Sequence, residues 1–214
     1  MNGFEEYYAK RAHQYEQIYE KPERQADLYA LKQKVAKLTA RHRVLEIACG
    51  TGYWTQEIAS GAARVVATDI GKEVLDLARR KYFPPRRVHF VRANAFRTPV
   101  KPNYFTVAVA GFWWSHIALA ELRSFLESLH RCLAPHARVI FFDNRYVEGS
   151  STPISREDDA GNTFQTRNVE TGGRYELLKN FPSEHDIKQT ITGLSTDVSY
   201  EESRYYWLLT YRCS

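Results

Sequence analysis

The sequence predicts one α/β domain: a doubly wound, mostly parallel seven-stranded sheet with helices on both faces and an N-terminal helical cap. Three observations carry that expectation. Short apolar strands alternate with helical segments between residues 43 and 143, the pattern of a parallel sheet with crossover helices. The fourth strand, Tyr104–Ala110, is apolar on both faces, as buried parallel strands are. A length of 214 residues, 43% of them hydrophobic, suits one domain with a sizeable core rather than two.

The elements follow in order. Residues 1–40 read as helical and are broken in two by Pro22. Arg43–Ala48 is the first strand. A turn with Gly50 and Gly52 leads into a helix over 53–60. Arg64–Asp69, rich in Val, is the second strand and ends in an acid. Over Lys72–Lys81, Val74, Leu75 and Ala78 share a helical stripe, which Pro84-Pro85 stops. Val88–Val91 is the third strand. Leu122, Leu126 and Leu129 mark the apolar side of a helix over 119–133, and Arg138–Asp143 is the fifth strand. Residues 144–182 are polar without helical period and read as an insertion or lid. Within them Phe164–Val169 and Arg174–Leu178 flank Glu170-Thr171-Gly172-Gly173 as a hairpin. Ser183 caps a last helix reaching Thr192, with Asp186 in its first turn. Residues 197–213 supply two closing strands. The expected plan is a cap over 1–40, a core over 41–143, the insertion, and a C-terminal part over 183–214.

Composition excludes several classes. Charged residues are 26%, ordinary for a globular protein, so disorder is excluded. No apolar run approaches the roughly 20 residues of a membrane span. The start, Met1-Asn2-Gly3-Phe4-Glu5-Glu6, lacks the basic-then-apolar order of a signal peptide. Cys49, Cys132 and Cys213 are too widely spaced for a disulfide framework or a zinc site, so no metal and a reducing cytoplasm are expected. A net charge of +5 leaves nucleic acid, an acidic ligand or a solvated surface open. Aromatics at 14% leave core packing or an aromatic-lined pocket open.

The sharpest motif runs from Val44 to Thr55. A strand ends, Ala48, Gly50 and Gly52 turn the chain, and a helix begins. Ligands in open parallel sheets sit beyond the carboxyl ends of the strands. Glu46 lies in an otherwise apolar strand, where an unpaired charge is costly, so it needs a donor from backbone or ligand. Asp69 ends the second strand, where a carboxylate can accept both hydroxyls of a ribose. A bare glycine pair would be only a tight turn; the two acids argue for a nucleotide-like ligand.

This stretch resembles motif I of the class I methyltransferases that use S-adenosylmethionine, and the resemblance covers residues 43–143 best. It implies a Rossmann-like fold, S-adenosylmethionine as cofactor and S-adenosylhomocysteine as product. Ala48 departs from the usual first glycine. The resemblance places Glu46, Ala48, Gly50 and Gly52 at the methionine side, Asp69 at the ribose and Ile70 against adenine. Asn94, Ala95 and Phe96 match the segment that meets the adenine amino group, with Asn94 in place of an acid. Gly111 and Phe112 match the end of strand four beside the reacting methyl. Leu133-Ala134-Pro135-His136-Ala137 resembles the turn before strand five without its two glycines. Tyr8, Arg11 and Tyr15 fall on one face of a leading helix that would fold over the cofactor, with Arg11 toward its carboxylate.

The residues after strand four face the reacting methyl in that family. His116 is the candidate general base, if the acceptor must lose a proton. Trp113 and Trp114 are candidate walls of the acceptor pocket, one of them core. Asn144 and Arg145 follow strand five, where Arg145 could bind an anionic acceptor. Arg11 and Arg145 are the basic residues expected near a ligand, and Tyr205, Tyr206 and Trp207 are expected to pack in the closing strands.

The expected activity is methyl transfer to an O, N or S atom of a small-molecule acceptor by in-line displacement, in a monomer or homodimer. Two alternatives stand beside it: a methyltransferase acting on nucleic acid or protein, and a non-catalytic cofactor-binding relative. Arg79-Arg80-Lys81 and Arg86-Arg87 favour nucleic acid weakly, since they fall on a helix end and loop. The chain has Gly111-Phe112-Trp113-Trp114 where many base and glutamine methyltransferases carry Asn/Asp-Pro-Pro-Tyr/Phe.

Overall fold

A computed structural model describes residues 3–168 and 173–214. The N-terminal part is α1 (Gly3–Arg11), two 3-10 segments (Ala12–Tyr19 and Pro22–Arg24) and α2 (Gln25–Thr39). The core follows as β1 (Arg43–Ile47), α3 (Tyr53–Gly61), β2 (Arg64–Asp69), α4 (Lys72–Ala78), β3 (Val88–Arg92) and β4 (Phe105–Gly111). Next come a short turn at Trp114–His116, α5 (Leu122–His130) and β5 (Leu133–Asn144). The chain then forms β6 (Arg156–Glu157), β7 (Thr163–Asn168), β8 (Arg174–Leu178), α6 (Glu184–Ile191), β9 (Ser195–Glu202) and β10 (Tyr206–Cys213).

Seven strands form one sheet in the order β3-β2-β1-β4-β5-β10-β9. β1 through β5 pair in parallel, while β10 and β9 join antiparallel. The order reverses between β1 and β4, which puts the ligand crevice of such a sheet above the ends of these two strands. Alternate residues split the core between two faces. Val44, Val107 and Ile140 pack with α2 and α3; Leu45, Ala108 and Phe141 pack with α5 and α6.

The polar stretch after β5 folds into a second, three-stranded antiparallel sheet, β6-β7-β8. β7 and β8 pair from Phe164↔Leu178 to Asn168↔Arg174, and the expected turn over 170–172, like Val169, lies outside the described residues. Ser183 caps α6 with the expected reciprocal bonds to Asp186. The leading helix is shorter than the expected stripe: α1 stops at Arg11, and Tyr15 falls in the tighter 3-10 segment, its side chain outside the described residues.

Candidate functional site

The turn after β1 shows why the motif needs small residues. Ala48, Gly50 and Gly52 sit at φ of 54°, 55° and 78°, all left-handed. This conformation costs an L-residue about 1–2 kcal/mol, so Ala48 keeps the glycine shape under strain. His136 does the same at φ 57° in the turn that lacks its glycines. Asp69 fastens the Ala48–Gly52 turn: its Oδ2 accepts from Gly50 N–H at 2.9 Å and its Oδ1 from Gly71 N–H at 2.8 Å. Burial raises the Asp69 pKa above its ordinary value, against those backbone donors.

Above the sheet's switch point lies a cavity of about 380 Å³. Its floor is Ala48, Gly50 and Asp69; Ile70, Val74, Ala95 and Phe96 give it an apolar side; Asn94, Gly111, Phe112 and Trp113 complete it. The grading from carboxylate through apolar walls to an amide fits a nucleoside. Asn94 Oδ1 accepts from Phe96 N–H at 2.8 Å, which fixes its side chain across the segment. Most of the expected cofactor positions therefore converge on one hollow. Glu46 and Gly52 do not line it. Gly52 instead packs under the turn, where a Cβ would lie 3.1 Å from Ala78. Glu46 is 2% exposed behind the turn, and its Oε2 has no hydrogen-bond partner among the described groups. Burial pushes its pKa up to about 8; Thr55 lowers it in part, and Asp69 adds to the rise.

A second cavity, of about 120 Å³, adjoins the first. Tyr8, Phe112, His116 and Leu177 line both. Phe112 holds φ at 56°, unusual for a bulky residue, and its N–H bonds Phe142 O at 2.7 Å. Strain of this kind gathers at working sites. His116 donates from Nδ1 to Leu178 O at 2.7 Å, leaving Nε2 to accept from the Tyr8 hydroxyl at 3.1 Å. Burial, then the Lys179 charge, push the imidazole pKa far below its ordinary 6.5, so the ring is neutral.

The second cavity holds residues the sequence reading missed. Lys21, Arg24, Gln165, Arg167, Lys179 and Tyr206 line it together with Arg11 and Asn144. Arg11 thus belongs here rather than to the larger cavity, and Arg11 Nη1 donates to Tyr7. Three further expectations are corrected. Trp114 is 1% exposed and packs edge-on against Phe141 and Trp207 on the α5 side, so it is core and lines neither cavity. Trp113 lines the larger cavity, not the smaller. Arg145 turns to Ser203 O at 2.7 Å and Glu202 at 3.3 Å, away from both cavities. Tyr206, expected to be packing alone, reaches the smaller cavity from the closing strand.

A family model described as a methyltransferase domain matches residues 44–136, the stretch that builds the larger cavity's floor. Over these residues the chain is similar to a methyltransferase domain. The domain shares its fold with solved DhpI structures, one in complex with SAH and one with SAM and HEP. The SAM–HEP complex superposes with a TM-score of 0.82 at 24% identity, over 98% of this chain and 96% of that one. A demethylmenaquinone methyltransferase of Clavibacter sepedonicus is 33% identical over 115 residues, 54% of this chain and 44% of the other. The ubiquinone/menaquinone biosynthesis C-methyltransferase UbiE of Erwinia tasmaniensis is 26% identical over 175 residues, 77% and 68% of the two chains. This chain therefore spans less than half the length of the first of these relatives.

Proposed function

We propose that this protein is an S-adenosylmethionine-dependent methyltransferase that moves a methyl group to a small-molecule acceptor by in-line displacement. The observation that carries the proposal is the shared wall: the nucleoside-shaped cavity and the smaller polar one meet at Tyr8, Phe112, His116 and Leu177. S-adenosylmethionine, when bound, supplies a methyl group already activated by a sulfonium. The protein's work is then alignment. Asp69 and Asn94 would hold the nucleoside, Ile70 and Phe96 would cover its base, and Phe112 and Tyr8 would set the line between the cavities. The names of the curated relatives and the SAM and SAH complexes of DhpI support the same reaction class.

The basic clusters support a small acceptor over nucleic acid, because three of their five residues are used internally. Arg79 pairs with Asp76 at 3.1 Å, Lys81 with Glu16, and Arg87 Nη1 donates to the carbonyls of Ala59 and Ser60. No helix among the described residues is long and apolar enough to cross a membrane.

Calorimetry with S-adenosylmethionine tests the proposal. Saturable binding is expected, and Asp69→Ala should weaken it at least about tenfold, the scale of a lost charged hydrogen bond. Absence of binding by the unaltered protein would remove the proposal.

A further inference from the structure

We propose that the edge of the central sheet opposite the cavities is a docking face for an anionic phospholipid bilayer, whose phosphates meet a belt of arginines. The inference stands apart from the methyltransferase reading and from what fills either cavity. β1, β2 and β4 run parallel, and residues just past their carboxyl ends line the larger cavity. The opposite edge is therefore built by the segments that lead into the parallel strands, together with the start of β9 and the end of β10. Residues 40–43, 62–64, 84–88, 131–138, 193–197 and 212–214 hold eight arginines and a single acidic side chain, Asp197. That surplus exceeds the +5 of the whole chain. The positive charge is gathered at this edge, and the rest of the molecule is slightly acidic.

Strand register lines the arginines up. Arg43 of β1 stands beside Arg64 of β2, and Arg138 of β5 beside Arg212 of β10. β4 joins the two pairs, with Val107 opposite Val44 on one side and Arg138 on the other. At about 4.8 Å per strand, the row from β2 to β10 runs roughly 19 Å. Adjoining turns extend it. Arg41 N–H bonds Gly61 O at 2.8 Å, Arg86 precedes the residue whose carbonyl accepts from Val65 N–H, and Arg131 lies two residues before Leu133, which pairs with Phe105. Arg41, Arg43, Arg64, Arg86 and Arg131 are exposed.

The belt's charge is not answered within the chain. Among the described residues, Arg212 alone of the eight has an ion pair, with Asp197 at 3.2 Å. The others meet neutral groups. Arg43 Nε donates to Tyr104 O at 2.8 Å, and its guanidinium lies over that ring. Arg64 Nη2 meets His89 Nε2 at 3.0 Å, Arg131 Nη2 donates to Ser128 Oγ at 2.6 Å, and Arg87 serves the helix carbonyls named above. His42 sits in the middle of the belt, its Nδ1 3.0 Å from Thr106 Oγ1. Burial, then Arg138, Arg212 and Arg43, hold its pKa below the ordinary 6.5.

Shape and chemistry select the partner. Guanidinium forks match phosphate oxygens in pairs. The edge is a shelf, and these arginines line none of the three cavities found. None of the exposed large apolar side chains belongs to these segments, and the Tyr104 ring lies beneath Arg43. The shelf therefore offers no platform for stacking the bases of a single strand. A nucleic acid duplex is a curved rod that touches part of such a row at a time, whereas a bilayer is a plane that the whole row can meet. A second copy of the chain would repel. Near an anionic leaflet each arginine strengthens binding about fivefold, an effect that salt screens. Arg43 is five residues from Ala48 on the larger cavity's floor, roughly 16 Å along the strand, so docking leaves the cavities on the water side.

The test is co-sedimentation of the full chain with two kinds of vesicle, phosphatidylcholine alone and a one-to-three mixture of phosphatidylglycerol and phosphatidylcholine. Binding is expected to the mixed vesicles at about 0.05 M salt and to be lost at about 0.5 M. Replacing Arg41, Arg64 and Arg131 together by Gln should weaken it about 100-fold, and Arg41→Gln alone about fivefold. A control with Arg97, Arg123 and Arg204 replaced by Gln has the same net charge and should bind within about threefold of the unaltered protein. Four results would overturn the inference: no binding to mixed vesicles at low salt, equal binding to pure phosphatidylcholine, equal loss in the belt and control variants, or tighter binding to a short DNA duplex than to mixed vesicles. The last would assign the belt to nucleic acid.

Discussion

Glu46→Gln should abolish a large pH dependence in the stability of the cofactor-free protein. The carboxyl is 2% exposed, and Oε2 has no hydrogen-bond partner among the described groups. Burial is the main cause that lifts its pKa from 4.5 to about 8. Between those values the folded protein keeps a proton that the unfolded chain has released. The stability contribution is therefore whole below about pH 4.5 and falls as pH rises, by about 1.4 kcal/mol per pH unit. From pH 5 to pH 8 the loss comes to roughly 4 kcal/mol, a large part of a typical domain's 5–15. Urea unfolding of both proteins at pH 5, 6, 7 and 8 measures it. The variant's advantage should grow steadily with pH, because an amide cannot ionise. Two curves that stay parallel across that range would refute the argument.

Four other outcomes follow from the same geometry. Ala48→Gly should stabilise by about 0.5–1 kcal/mol in thermal melts, relieving a left-handed alanine at φ 54°. Gly111→Ala should cost about 1–3 kcal/mol and weaken S-adenosylmethionine binding, since a Cβ there would lie 2.3 Å from the Phe142 ring. Lys179→Met should cost roughly 3–5 kcal/mol by stranding the buried Asp143 carboxylate, and adding Asp143→Asn should restore part of it. His116→Gln should slow turnover of an ionised acceptor by less than about tenfold, whereas a true general base would cost about 10²–10⁴-fold.

The sheet and the larger cavity were legible because local rules determine them. Apolar strands separated by helices gave the parallel order, and glycine with acids at strand ends gave the turn and Asp69. Even where glycine is missing, at Ala48 and His136, the backbone keeps the left-handed shape that the motif implies. The smaller cavity was not legible in the same way. Lys21, Arg24, Arg167 and Lys179 look like scattered surface charge in the sequence, and only the packing of the N-terminal part onto β8 gathers them. Arg145, next to Asn144, misled for the complementary reason. Asn144, the last residue of β5, lines the smaller cavity, while Arg145 just past the strand reaches Glu202 and Ser203. Trp114 and Trp113, in the turn after β4, also divide between core and cavity. One signal was available: Lys179 is a lone cation between apolar Leu177-Leu178 and Phe181, where burial demands a partner.

The wall shared by the two cavities has an evolutionary consequence. The larger cavity is drawn mostly from the sheet ends, whereas six of the seven N-terminal residues lining the smaller one, from Tyr7 to Arg24, do not line the larger. The insertion likewise gives the smaller cavity Gln165, Arg167 and Lys179 and the larger one Glu176, Leu177 and Leu178 of β8. Under the proposed reaction, acceptor choice would drift through two peripheral segments while the methyl-donor machinery stays fixed. Exchanging residues 1–24 together with 144–182 between relatives would be the smallest graft that carries a whole acceptor preference with it.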